Sequence, residues 1–301
     1  MVMRHDVRRG ALMMLGATAL FTLMGALVKA LGDRIPFPEL MFFRNALALP
    51  VVLAIGLRRK VTLRTRRLGG HVARAVTGML AMGCSFFALT VLPLAEQTAL
   101  TYSTPLFVTI LSIPFLGERP GIHRWGAVIA GFLGILVIAI GQGAFGGERP
   151  VPAGAAPWLL WAGFAAASVH GLFSGLTTML VRQLSGTEAS ATIVLWQSIL
   201  MTAMSAVLLP FVWVTPSPAD LPLLLGIGLL GGLAQVLLTE AYASAQVSSL
   251  GPYSYTALVW AILLGWIAWG EVPTLPMLAG AGLIVAAGLY ILHRELRRRR
   301  A

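Results

Sequence analysis

An all-α polytopic membrane protein, with ten transmembrane helices arranged as two inverted five-helix repeats, is the fold class this sequence predicts. Three observations predict it. Asp, Glu, Lys and Arg make up only 11% of the 301 residues and hydrophobic types 57%, whereas a soluble domain is roughly a quarter charged. The apolar residues come in runs of about 20, the length that crosses a hydrocarbon core roughly 30 Å thick. Short polar motifs also recur at an offset of 153 residues, so each half of the chain carries its own copy.

The first span, Ala11–Leu31, follows Arg4, Arg8 and Arg9 in the manner of a secretion signal. It is longer than the roughly 7–15 apolar residues of a signal core and many spans follow, so it is expected to remain as a helix. Pro36 and Pro38 end it and open the second span, Pro38–Leu57, which Arg58, Arg59 and Lys60 close. His71–Val91 and Ala95–Leu116 have almost no connection between them. Pro93 breaks a stretch too long for one span, which predicts a tight helical hairpin. His123–Gln142 completes the first repeat, residues 1–145. Gly146, Gly147, Pro150 and Pro152 mark the centre, where turn-forming residues cluster. The second repeat, residues 146–301, holds Ala155–Leu180, Thr187–Pro210, Asp220–Ala241, Val247–Trp269 and Thr274–His293.

Charge supports this threading. With ten spans, all but four of the 22 Lys and Arg residues fall on one face, the exceptions being Lys29, Arg34, Arg44 and Arg149. Loops facing the cytoplasm are enriched in Lys and Arg, so both termini are expected in the cytoplasm and the protein in a bacterial inner membrane. Arg297–Arg300 would anchor the last helix at the anionic leaflet. The formal charge of +11 thus reports topology, and no nucleic-acid partner is expected. The lone cysteine, Cys84, lies inside an apolar run, which leaves no intramolecular disulfide and no cysteine metal cluster.

The halves match in detail. Tyr102-Ser103 corresponds to Tyr255-Thr256, and Gly117-Glu118-Arg119-Pro120 to Gly270-Glu271-Val272-Pro273. One residue out of that register, Gly126-Ala127 matches Gly280-Ala281 and Gly134 matches Gly288. Phe43-Arg44-Asn45 corresponds to Trp196-Gln197-Ser198. Five spans per half, an odd number, require the halves to insert in opposite orientations, an arrangement recurrent in secondary transporters. With Phe86-Phe87-Ala88-Leu89, Leu92-Pro93-Leu94-Ala95, Tyr102 to Pro105, Leu116 to Arg119 and Gly270-Glu271, the chain resembles the EamA family of the drug/metabolite transporter superfamily over nearly its whole length. That resemblance implies ten helices, cytoplasmic termini, a central cavity and movement of amino acids, vitamins, cofactors or related metabolites. The second half departs from the pattern: Pro252 precedes Tyr255, and Leu258 replaces the proline found at Pro105.

Candidate substrate-binding residues are the polar ones within spans. Arg44 lies well inside the second span, where a cation faces a cavity or a partner. It would anchor an anionic group, unless it snorkels or pairs with Glu39. His170, near the middle of the sixth span, could relay protons or bond a neighbouring helix. Gln197 and Gln235 suit cavity-lining or helix-joining hydrogen bonds equally. Tyr102 and Tyr255 occupy equivalent places, suited to a flat metabolite or to an interfacial belt. Glu96 and Glu240 are proton-coupling candidates, against end-of-helix roles. Lys29 is expected to snorkel. Glu118 and Glu271, followed by Pro120 and Pro273, are expected to end one helix and start the next.

No cofactor or metal is expected. The sequence has no His-Glu-x-x-His pattern and no phosphate loop, which argues against an intramembrane enzyme and direct use of ATP. A secondary-active transporter of small organic metabolites working by alternating access is the leading expectation. A broad-specificity drug or metabolite exporter and a non-transporting ligand sensor are the alternatives. Glycine-rich faces would pack within one chain or between two, so a homodimer stays open.

Overall fold

The computed structural model describes residues 7–58, 63–117, 121–141, 157–188, 190–244, 250 and 253–300. Gly146, Gly147, Pro150, Pro152, Glu118, Pro120 and Pro252 fall outside the described residues, as do 245–249 at the expected start of the ninth span. The helices are α1 (Val7–Leu31), α2 (Phe37–Arg58), α3 (Leu68–Val91), α4 (Leu94–Thr101), α5 (Thr104–Leu116) and α6 (Ile122–Gly141). They continue with α7 (Pro157–Ser185), α8 (Ser190–Val212), α9 (Leu221–Ser244), α10 (Thr256–Trp269) and α11 (Leu275–Arg300). Among the described residues, seven spans are long and apolar enough to cross a bilayer, α4 and α5 together forming one, and three shorter apolar helices lie in α6, α10 and α11. These make ten spans in two inverted repeats.

The helix pairing obeys the repeat. Exchanging the halves converts α1 into α7, α2 into α8, α3 into α9, the α4–α5 pair into α10, and α6 into α11. The two most extensive contacts, α1 on α9 and α3 on α7, are images of one another under that exchange. The α6–α11 and α2–α8 pairs map onto themselves. In a bilayer, lipid tails are as apolar as the helices, so close packing decides which helices meet. At the α6–α11 crossing, a Cβ on Gly134 would lie 2.6 Å from the Gly280 carbonyl oxygen, and one on Gly280 2.5 Å from that of Gly134. Only glycines permit that approach.

The fourth span is two helices, where the sequence suggests one. Pro105 has no N–H to offer the Thr101 carbonyl, and the Thr104 hydroxyl donates to that oxygen instead, at 2.8 Å. The chain turns at Tyr102-Ser103 in consequence. Its equivalent, Tyr255, precedes α10 in the same way although Leu258 replaces the proline. Gly117 and Gly270 end α5 and α10 in the left-handed conformation, with φ of 64° and 67°, as the matched turns predict.

α1 begins and α11 ends on one face, here the terminal face. The far face carries the turns at 32–36, 92–93 and 270–274. Polar links join the halves across the far face. Lys29 Nζ pairs with Glu271 Oε1 at 2.9 Å and donates to the Leu92 carbonyl at 2.6 Å. Glu271 Oε2 accepts the Leu94 N–H at 2.9 Å, and Arg34 pairs with Asp220 at 2.6 Å. Lys29 therefore does not snorkel. Glu271 serves the first turn of α4, across the repeat boundary, rather than the helix that follows it. That next helix, α11, is capped by Thr274, whose hydroxyl accepts the Met277 N–H at 3.3 Å.

Candidate functional site

Arg44 and Gln197 each centre a candidate half-site, at positions that the repeat makes equivalent. In one, Arg44 of α2 lies over Gly231 of α9, where a Cβ would stand 3.4 Å from Arg44 Nε. Arg44 donates to Asn45 Oδ1 at 2.9 Å, and its buried Nε has no hydrogen-bond partner. Glu39 is not its counterion. That carboxylate is fully buried and accepts the Val214 N–H at 2.9 Å, its other oxygen unpartnered. Gln235, half-buried, is four residues beyond Gly231 and so on the same side of α9.

In the other half-site, Gln197 of α8 lies over Gly78 of α3, its Nε2 at 3.8 Å from where a Cβ would be. Gly78 and Gly231 are themselves 153 residues apart, as are Arg44 and Gln197. The equivalence seen in sequence is thus an equivalence in space. One turn along α3, the Ala81 carbonyl lies 2.9 Å from His170 Nδ1 of α7, a contact that places the imidazole proton on Nδ1. α3 thus touches both Gln197 and His170, about one turn apart along its length. The next residue, Gly171, abuts Ser103, since a Cβ there would strike the Ser103 hydroxyl.

Tyr102 and Tyr255 meet each other between the halves, with ring centroids 4.8 Å apart and tilted by 47°. Tyr102 donates to the Ser254 carbonyl at 2.7 Å, and the Tyr255 hydroxyl rests against Gly288. The two rings thus meet where the repeats join. Glu96 is buried in the first turn of α4, and Glu240 sits half-buried near the terminal-face end of α9. Each already has a polar or electrostatic partner, and the contacts above do not bring either to Arg44, Gln197 or His170. Among the described residues no group of His, Cys, Asp and Glu side chains could hold a metal ion. The arrangement is therefore one of hydrogen-bond donors, an uncompensated cation and aromatic faces, suited to recognition.

Sequence reasoning missed Arg74. The charge pattern counts it only among the Lys and Arg residues of one face, although the third span as read from sequence, His71–Val91, contains it. Arg74 lies within α3 and is buried, and His71 one turn before it is buried too. Gly70 and Gly78 flank Arg74 at helical spacing, the signal that could have placed all three on one packed side.

Comparison with known proteins gives related transporters. The chain is 31% identical to a riboflavin transporter of Rhizobium johnstonii over 97% of this chain and 93% of that protein. It is 29% identical to a pseudopaline exporter of Pseudomonas aeruginosa, covering 93% and 95% of the two. A crystal structure superposes with a TM-score of 0.63 at 21% identity, over 96% of this chain and 98% of that one, which establishes likeness of fold. With the EamA-like transporter model matching twice, over residues 8–140 and 161–293, the chain belongs to the EamA-like transporter family.

Proposed function

We propose that this chain moves a small organic metabolite across a bacterial inner membrane by alternating access, with both termini in the cytoplasm. The repeats at 1–145 and 146–301 would rock against each other. Substrate would bind between Arg44 and Gln235 on one side and Gln197 and His170 on the other, over the Tyr102–Tyr255 pair. Glu96 and Glu240 remain proton-coupling candidates. Transport without chemical conversion fits these residues, which recognise and offer no activated nucleophile.

The observation that carries this reading is an asymmetry between two faces that the repeat makes equivalent. On the far face α6 and α11 are locked together at Gly134 and Gly280. The equivalent crossing near the terminal face would join Gly126 to Gly288, and there a Cβ on Gly126 would meet nothing within 4 Å. A groove of about 430 Å³ opens between the two helices at that end, lined by Gly126, Ala130, Leu283 and Tyr290 among others. At the groove Tyr290 and His123 still link the two helices at 3.1 Å, so this crossing is tight toward the far face and looser toward the terminal face, and in a pseudo-symmetric protein the reverse arrangement lies within reach.

Substrate choice rests on the relatives. Riboflavin is the first candidate, from the transporter of Rhizobium johnstonii, and its flat ring suits paired tyrosines. The pseudopaline exporter of Pseudomonas aeruginosa keeps export as a second reading. Sealed proteoliposomes given riboflavin, amino acids, nucleosides and a proton gradient test both. Selective flux of one class is expected, its preferred direction separating uptake from export. Saturable riboflavin binding with no flux through correctly inserted protein would replace the transporter reading with ligand sensing.

A further inference from the structure

The repeat shows what an ordinary core side chain looks like at the places held by Arg74 and His71. Their equivalents 153 residues on are Ile227 and Leu224, both buried aliphatic residues of the core. The first repeat puts a guanidinium and an imidazole there. Arg74 is 8% exposed, and neither its Nε nor its Nη1 has a hydrogen-bond partner. His71 is 1% exposed with both ring nitrogens unpartnered. Packing alone would favour the aliphatic pair, since buried polar groups without partners are destabilising.

Aromatic surface lies beside that charge. The His71 ring stacks on Trp196 of α8, with centroids 5.8 Å apart and planes 29° apart. Trp196 is itself held by donating to the Leu63 carbonyl at 3.1 Å. Gln197, already placed at the candidate site, sits over Gly78, one turn deeper than Arg74 on the same side of α3. Glu188, at this end, accepts the Thr65 hydroxyl at 2.6 Å and acts electrostatically on His71, and no carboxylate pairs with Arg74 among the described residues. The seam is also the looser of two equivalents, because α3 packs on α8 less extensively than α2 packs on α9.

We infer that Arg74, His71 and Trp196 form an anion-recognition subsite at the terminal-face end of the α3–α8 seam, taking the carboxylate or phosphate of an aromatic molecule. The guanidinium supplies the charge and the His71–Trp196 stack the flat surface, a pairing of charge-assisted hydrogen bonds with aromatic contact. The inference rests on the transport reading only for its biological use, because the anion would then be held on its way to or from Arg44. A lipid headgroup phosphate has the same chemistry and is the other source of such an anion.

Binding of 2-naphthoate and of its uncharged isostere 2-naphthamide to the full-length protein in neutral detergent tests the subsite without requiring transport. The naphthoate is expected to bind about tenfold more tightly. Arg74→Gln should abolish that preference, leaving naphthamide binding and the thermal transition in place, and Arg74→Lys should retain part of it. Equal binding of acid and amide by the wild type, or an unchanged preference in Arg74→Gln, overturns the proposal. If the glutamine variant does not fold, Trp196→Ala takes its place and should weaken both ligands while leaving their ratio unchanged; an unaltered affinity for both overturns the proposal. Repeating the measurement in nanodiscs separates the sources. Phosphatidylglycerol that competes with naphthoate, where phosphatidylcholine does not, assigns the anion to a headgroup; no competition assigns it to a soluble metabolite. Absence of flux for every solute with the preference intact would overturn the transport reading and leave the subsite standing.

Discussion

Residues 44 and 197 hold equivalent places in the two repeats, and each lies over a glycine of the other repeat, Arg44 over Gly231 and Gln197 over Gly78. The same relation links Thr18 with Gly171 and Thr256 with Ser103. Thr18 and Thr256 share a hydrogen bond of 3.0 Å, whereas Ser103, facing a glycine, is fully buried with its hydroxyl unpartnered. On the loops, Asp220 and Arg34 pair at 2.6 Å, and at the equivalent positions Arg67 reaches Thr187 at 3.4 Å. Backbones and small residues follow the symmetry closely, while charged and hydrogen-bonding side chains break it. An inverted repeat needs equal backbones to exchange two states, but a substrate is not symmetric, and the polar residues that meet it are free to diverge.

The largest expected effect comes from erasing the most consequential difference. Arg44→Gln gives both repeats the same residue and should reduce flux of an anionic substrate on the order of tenfold or more, the loss of a charge-assisted contact within the membrane. Expression and the thermal transition in detergent should hold, because Arg44 makes no ion pair among the described residues. The double variant Arg44→Gln, Gln197→Arg moves the cation to the other repeat. Flux assays on the pair check whether the charge itself suffices or only its place in α2 will do; wild-type flux in the single variant would remove Arg44 from the site.

The ion pair between Lys29 and Glu271 joins the halves on the far face. The side chains are 13% and 18% exposed, so solvent screens the pair only in part. Glu271→Gln keeps an acceptor for the Leu94 N–H but leaves Lys29 without its counterion, which should lower stability by about 1–3 kcal/mol. Lys29→Met added to it should recover part of that loss. A double-mutant cycle on thermal unfolding measures the coupling, expected at about 0.5–3 kcal/mol. Additive effects would mean that the lysine contact with the Leu92 carbonyl, and not the ion pair, joins the halves.

Smaller effects separate Thr18 from Ser103. Thr18→Ala breaks the shared bond to Thr256 and should destabilise by about 1 kcal/mol. Ser103→Ala removes a hydroxyl that has no partner to lose and should be neutral or slightly stabilising, checked by the same unfolding measurement. Equal losses in the two variants would show that the sequence difference at Gly171 carries no energetic consequence.

Much of this fold was legible in the sequence because a bilayer imposes length and polarity rules stricter than those of water. Run length set the spans, Pro93 the hairpin and the paired glycine turns the inversion. The interruption at Tyr102-Ser103 was less legible, since Pro105 could equally have opened a helix. Lys29 with Glu271 joins residues far apart in sequence, and hydropathy carries no information about which distant groups meet. Arg74 did not stand out for a related reason: near a span end, a cation that faces lipid headgroups and one that faces a buried seam have the same local sequence. Arg44, deeper in its span, had no such ambiguity as to depth, though its bond to Asn45 rather than Glu39 came only from the structure.

The mildest expected effect tests the loop contacts, where Asp220 and Arg67 stand at equivalent positions with opposite charge. The Ser217 hydroxyl, donating at 2.6 Å, holds the Asp220 carboxyl below the usual range, with the Ser217 N–H and Arg34 acting in the same direction and burial opposing them. A carboxylate whose pKa is depressed on folding contributes stability that is fully present above its unfolded value and is lost as pH falls through the folded one. The difference in thermal midpoint between wild type and Asp220→Asn should therefore be constant from neutral pH down to about 5, and shrink below about 4. Arg67→Ala, which disturbs the equivalent contact without removing a titrating acid, should shift the midpoint by the same amount across that range. A gap that persists undiminished into acid would show that the Asp220 contacts depend on shape rather than charge, and would erase this pH-dependent difference between the two loops.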